Sequence, residues 1–107
     1  MKVQLHQQSL RLHLSMADLQ ALLAGESIEN FTGFGASGGW TVAVSLHGGE
    51  QPVLLDGGTF CRVVLPRATV EALAPSPAPD LSLPIYLDDG QVLQVQLAVD
   101  AGDAGPP

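Results

Sequence analysis

SLRLHLSMADLQALL (residues 9–23) and FCRVVLPRATVEALA (residues 60–74) superimpose at an offset of 51 residues, and reading them as one recurring unit decides the fold. Arg11, Leu14, Ala17, Ala21 and Leu22 then fall on the identical Arg62, Leu65, Ala68, Ala72 and Leu73. Carried on without a gap, the same offset sets Gly39 on Gly90, Val44 on Val95 and Leu46 on Leu97. Five identities inside one short window, with both halves patterned in phase, favour an internal duplication, residues 1–51 and 52–102. The competing reading is a chance likeness between two amphipathic units.

Working outward, each stretch is preceded by a strand that forms a hairpin with it. In KVQLHQQSLRLHL (2–14) a two-residue turn at Gln7 and Gln8 pairs Leu5 with Leu10 and Val3 with Leu12. That register turns Val3, Leu5, Leu10, Leu12 and Leu14 inward and leaves Lys2, Gln4, His6, Ser9, Arg11 and His13 outward. VLLDGGTFCRVVL (53–65) repeats the device around Gly57 and Gly58, which tolerate the positive φ of a tight turn. Its inner face is Leu54, Cys61, Val63 and Leu65. Its outer face, Val53, Leu55, Phe60 and Val64, is apolar where the first hairpin is polar, so it needs a cover from the rest of the fold or from another molecule.

A short helix follows each hairpin. Ser15 caps the first, Asp18 completes a capping box, and Met16, Leu19, Leu22 and Leu23 make an apolar stripe that runs to Gly25. Pro66 suits the first turn of the second helix, which buries Val70 and Leu73 and stops near Pro75. Period-two patterns then predict strands at 27–33 and 40–47, and at 81–87 and 91–99. APSPAPD (74–80) reads as a stiff linker, and residues 103–107 of the terminal AGDAGPP as a disordered tail. The expected fold is α+β, mostly β: one domain over 1–102, built from a duplicated ββαββ unit as a pseudo-two-fold barrel or strongly curved antiparallel sheet with two short helices.

A chain of 107 residues supports one core, and its 46% hydrophobic content is enough to fill it. Eleven acids against four bases give a net charge of −7, which disfavours nucleic acid and anionic membranes as partners. The single cysteine, Cys61, excludes an intramolecular disulfide and a cysteine-rich metal site. No leader and no membrane-length apolar run is legible, so the expected location is cytoplasmic.

MKVQLHQQSLRLHLSMADLQAL, followed by Gly25, Glu29 and Phe31, resembles an uncharacterised family of short bacterial proteins that open in the style MKIRIKGNSIRLRLTQSEV. Gly58, Thr59, Val63, Leu65, Pro66 and Ala68 extend the likeness through most of the chain. The family carries no established activity to transfer. Its members often end in an acidic segment with lysine and phenylalanine, whereas Val99, Asp100 and Ala101 here run into a bland tail. RVVLPRATVEAL (62–73) is similar, more locally, to the strand, proline and helix of AbrB-type swapped-hairpin regulators and antitoxins. That likeness implies DNA binding through basic residues, of which this stretch offers only Arg62 and Arg67.

GFGASGG (33–39) matches the glycine spacing of a dinucleotide fingerprint, but a strand follows it where a helix would have to face the pyrophosphate. It also lacks the lysine of a kinase-type or Walker loop. It therefore reads as a turn whose aromatic neighbours Phe31, Phe34 and Trp40 could rim a ligand pocket or pack under a flexible loop. Asp88, Asp89 and Gly90 are far short of a calcium loop. His6 and His13 lie on different rungs, and a third imidazole, His47, cannot be placed from sequence, so no metal ligand set is assigned. Cys61 is expected to be an inert core thiol. Arg11 and Arg62, at equivalent positions, could hold an anion together or pair with acids across strands. No catalytic constellation and no cofactor motif is present. The leading expectation is a non-catalytic interaction module that binds a protein partner or itself, as a homodimer, through Val53, Leu55, Phe60 and Val64. Its alternatives are a small-molecule binder or small enzyme with a pocket at the Phe34 to Trp40 loop, and an antitoxin or DNA-binding regulator.

Overall fold

Two four-stranded sheets face each other across one apolar core in the computed structural model, which describes residues 1–73 and 81–100. In chain order the elements are β1 (Lys2–His6), β2 (Ser9–Ser15), α1 (Met16–Leu23), β3 (Ile28–Gly33) and β4 (Gly39–His47), with a single 3-10 turn at Gly35–Ser37. The same sequence of elements follows as β5 (Val53–Asp56), β6 (Phe60–Pro66), α2 (Arg67–Leu73), β7 (Leu81–Tyr86) and β8 (Val92–Asp100). The linker 74–80 and the tail 103–107 lie outside the described residues.

The strand orders differ from the expected barrel. Sheet I runs β1-β2-β8-β7 and sheet II runs β3-β4-β6-β5, so each sheet takes one hairpin from each half of the chain. The hairpins are antiparallel, as expected, but where they meet the pairing is parallel: β2 with β8, and β4 with β6. Sheets I and II do not join into a closed barrel, nor into a single antiparallel sheet. The alternating pattern specifies which face of a strand is buried, and parallel and antiparallel partners satisfy that equally well. Helices α1 and α2 carry the chain from one sheet to the other, β2 to β3 and β6 to β7, while β4 reaches its parallel neighbour β6 by way of β5.

Inside each half the expectations about faces hold. Val3 pairs Leu12 and Leu5 pairs Leu10 around a turn in which Gln7 adopts φ 46°. Leu10, Leu12 and Leu14 of β2 and Cys61, Val63 and Leu65 of β6 all enter the core, joined by Val42 and Val44, Ile85, and Val95 and Leu97. Leu5 is the exception: it sits on the inward side of an edge strand, yet remains 61% exposed.

Helix α1 is closed at both ends by its own sequence. Asp18 N–H donates to Ser15 Oγ and Ser15 N–H to Asp18 Oδ2, both at 3.0 Å, completing the capping box. At the other end Glu26 N–H reaches Ala21 O and Gly25 N–H reaches Leu22 O, a Schellman arrangement that needs the positive φ of Gly25. Leu19 and Leu22 are buried beneath it. Pro66 ends β6 rather than entering the first turn of α2, because its carbonyl side continues the parallel ladder opposite His47. Arg67, the first residue of α2, donates to the Leu23 carbonyl at 3.0 Å and so ties the two helices together.

Element positions also correct the ungapped alignment. β2 and β6 begin at Ser9 and Phe60, 51 residues apart, but β3 and β7 begin at Ile28 and Leu81, and β4 and β8 at Gly39 and Val92, each 53 apart. The two extra positions fall between α2 and β7. Gly39 therefore matches Val92 rather than Gly90, and Val42 and Val44 match Val95 and Leu97. Hydrogen bonds agree: Phe34 N–H donates to Gly38 O as Leu87 N–H does to Gln91 O, the same contact 53 residues on.

Candidate functional site

Two features of this scaffold offer recognition chemistry: the outer face of sheet II, and a groove along one open seam between the sheets. Pair registers place Phe31, Thr41 and Phe60 side by side on that outer face. The next row is Glu29, Ala43, Arg62 and Leu55, and the one after it holds Ser45, Val64 and Val53. Phe31 is 67% exposed and Leu55 53%, Val53 is also exposed, and Phe60 and Val64 are half-buried. The centre of this face is closed by its own side chains, with Ala43 fully buried, while Phe31, Leu55 and Val53 leave the rim apolar and in contact with solvent.

Local chemistry holds the face in shape. The Arg62 guanidinium lies over the Phe60 ring, 5.5 Å from its centroid, and donates to Ser27 Oγ and Ser45 Oγ at 3.1 and 3.3 Å. Phe31 lies across Gly39, where a Cβ would collide with the Thr32 carbonyl oxygen and meet the ring at 2.5 Å, so glycine serves both the close β3/β4 pairing and the aromatic lying on it. Phe31 was expected at a ligand rim. The fold instead gives it to the sheet face, one strand away from Phe60 across Thr41.

Phe34 and Trp40 do share a groove. It runs between β1 of sheet I and β3 of sheet II, has a volume of about 780 Å³, and is lined by Lys2, Val3, Gln4, Leu5 and His13 on one side. Asn30, Thr32, Phe34, Trp40 and Val42 line the other. Asn30 Nδ2 donates across the seam to the Met1 carbonyl at 2.8 Å, and His13 Nε2 shares a 2.9 Å hydrogen bond with Gln4 Oε1. The equivalent seam, between β5 and β7, forms a smaller groove of about 550 Å³ that includes Asp56, Asp88 and Asp89.

Other expected candidates are kept apart. Arg11 and Arg62 occupy the centres of the outer faces of different sheets, with the core between them, and Arg11 donates to Gln96 Oε1 at 3.3 Å. They do not converge on one anion. His6 and His13 sit on separate rungs of sheet I, and His47 lies on sheet II bonded to the Gln51 carbonyl. Among the described residues no group of three or more histidine, cysteine or acidic side chains is placed to hold a metal ion. Cys61 is buried, and burial, followed by the charge of Asp56 opposite it, raises its thiol pKa and keeps the nucleophilic thiolate scarce. Asp89 accepts from Gln91 N–H at 2.9 Å and serves its own turn. No helix among the described residues is long and apolar enough to cross a membrane.

Sequence reasoning offered Phe34 and Trp40 as the rim of a pocket but did not foresee the wall that sheet I supplies. Lys2, His13 and Asn30 come from strands of different sheets, and only the crossover through α1 brings their seam together. Comparison with protein-family models, curated proteins and solved structures finds no match to this chain.

Proposed function

We propose that this protein is a non-catalytic interaction module that pairs with a second copy of itself through the outer face of sheet II. The observation that carries this is the self-complementary layout of two adjacent rows on that face. Phe31 and Phe60 flank Thr41 in one, and Glu29 and Arg62 flank Ala43 in the next. A two-fold axis laid along β4 sets Phe31 against Phe60 of the second copy and Glu29 against its Arg62, with the small Ala43 on the axis. One cation and one anion per face give charge complementarity in a chain whose net charge of −7 otherwise opposes self-association.

The area limits the strength. Four strands spaced about 4.8 Å apart and about five residues long offer a footprint of roughly 300 Å². A standard stable interface buries about 800 Å² per partner, so the pairing is weak and dissolves on dilution. Sedimentation at increasing concentration should show reversible dimer formation by the wild type and none by Phe60→Asp. Glu29→Arg and Arg62→Glu should each weaken it, and the double charge reversal should restore it. A monomer at every concentration, or a double reversal no better than the singles, sinks the reading. Retention of some other protein on an immobilised wild-type face, abolished by Phe60→Asp, would replace the second copy with that partner.

The same reading treats the chain as a duplicated ββαββ unit with pseudo-two-fold symmetry, in which one outer face stayed polar and the other became apolar. Matching element order, matching turn hydrogen bonds and the exchange of hairpins between sheets support it. Since each sheet needs hairpins from both halves, a fragment of residues 1–51 should be unfolded alone or should pair with a second fragment. A fragment that folds as a stable monomer overturns the shared-unit reading.

A further inference from the structure

We propose that the groove between β1 and β3 is a binding site for a small carboxylate with an apolar, aromatic or branched body. It lies apart from the face of sheet II and does not depend on self-association. Its apolar floor is Trp40, Phe34, Val42, Val3 and Leu5, and about 780 Å³ is the size of space that takes a single metabolite. Charge sets the ligand class. The chain has eleven acids and four bases, yet none of the groove's lining residues is acidic, and Lys2, its only lysine, stands there beside His13. The equivalent seam is lined in the opposite sense, by Asp56, Asp88 and Asp89 with no base. Two grooves built by the same elements thus differ in sign, and the basic one also carries the only tryptophan. Gln4, Asn30 and Thr32 add neutral hydrogen-bonding groups at its wall, so a carboxylate meets Lys2 and amide donors while its body lies on the indole.

Trp40 makes the test direct. The full chain is titrated with 3-phenylpropionate and with its neutral isostere 3-phenylpropionamide, reading Trp40 emission together with backbone amide chemical shifts. The expected result is saturable binding of the carboxylate, shifts confined to residues lining the β1/β3 groove, and an amide bound about fivefold more weakly. Lys2→Gln, an exposed substitution that leaves the core untouched, should bring the carboxylate down to the affinity of the amide. Phe60→Asp should leave binding unchanged, which separates this site from the proposed pairing face. Equal affinity for amide and carboxylate, an unaltered Lys2→Gln, shifts that map to the β5/β7 groove, or no saturation at all would each overturn the proposal.

Discussion

At matched positions sheet I presents Lys2, Gln4, Ser9 and His13 to solvent where sheet II presents Val53, Leu55, Phe60 and Val64. Their inner faces stay alike: Leu10, Leu12 and Leu14 against Cys61, Val63 and Leu65, all buried. A sheet in a two-layer fold buries one side only, so the inner residues answer to packing density and the outer ones are free to answer to partners. Arg11 and Arg62 are identical and equivalent, but their settings follow the faces they sit on. Arg11 meets the amide of Gln96, whereas Arg62 lies on an aromatic ring between two serine hydroxyls. The contrast is one of outer faces: sheet II carries an apolar, aromatic surface where sheet I carries a polar one.

The largest effect should fall where the sheets are alike. Leu12→Ala and Val63→Ala remove matched, fully buried side chains, and should cost about 2–5 and about 1–3 kcal/mol respectively in urea unfolding. A negligible loss at either position would show that the two inner faces do not share one core. Next comes transplantation of the polar face: Val53→Lys, Leu55→Gln, Phe60→Ser and Val64→His together give sheet II the residues of sheet I at the four matched positions. Self-association should vanish in sedimentation while the monomer's unfolding midpoint changes little, since these positions are exposed or half-buried.

The helices extend the comparison. Ser15 and Asp18 cap α1, while the positions 51 residues on are Pro66 and Thr69, and proline has no side-chain acceptor. Ser15→Ala should therefore cost about 1 kcal/mol. Burial raises the pKa of Asp18, but its hydrogen bonds from Ser15 and the nearby Met1 ammonium, 3.1 Å away, outweigh that and hold it below the ordinary 3.8. A depressed folded-state pKa stabilises the protein above 3.8, and that contribution disappears as pH falls through the folded value. Acid unfolding of Asp18→Asn should accordingly be less steep than wild type below pH 4. Gly39→Ala sets a Cβ against both the Thr32 carbonyl oxygen and the Phe31 ring, so the β3/β4 pairing must shift as well as the ring; amide shifts around Thr32 and Phe31 should move, the unfolding midpoint should fall, and self-association should weaken. Unchanged Phe31 shifts would remove that contact from the account of the face.

Much of the secondary structure could be read directly. The SLRLHLS and FCRVVLP alternation set the inward and outward residues of β2 and β6, Ser15 with Asp18 marked the start of α1, and Gly25 its end. GFGASGG was legible as a turn because WTVAVSL, with period two, follows it. The parallel pairing of β2 with β8 and of β4 with β6 was not, because alternation is blind to strand direction. The two-residue slip in the second half was also hidden, since a shift of two keeps every side chain on the same face. Of the candidate sites, the apolar positions Val53, Leu55, Phe60 and Val64 were visible as a hairpin pattern. Phe31 was assigned to the wrong neighbourhood because its partner row depends on the β4/β6 ladder.

The sequence by itself determined the local states of this protein: which stretches are strands and helices, where they cap and turn, and which side of each strand is apolar. Those follow from short-range sterics, hydrogen bonding and periodicity, all contained within a few residues. Only the tertiary structure decided which strands are neighbours, and with that the joining of Phe31 to Phe60 on one face, the separation of Arg11 from Arg62, and the meeting of Lys2 and His13 with Trp40 along a seam. Those juxtapositions depend on how two helices carry hairpins from one sheet to the other, a choice made by the packing of the whole core rather than by any segment of it.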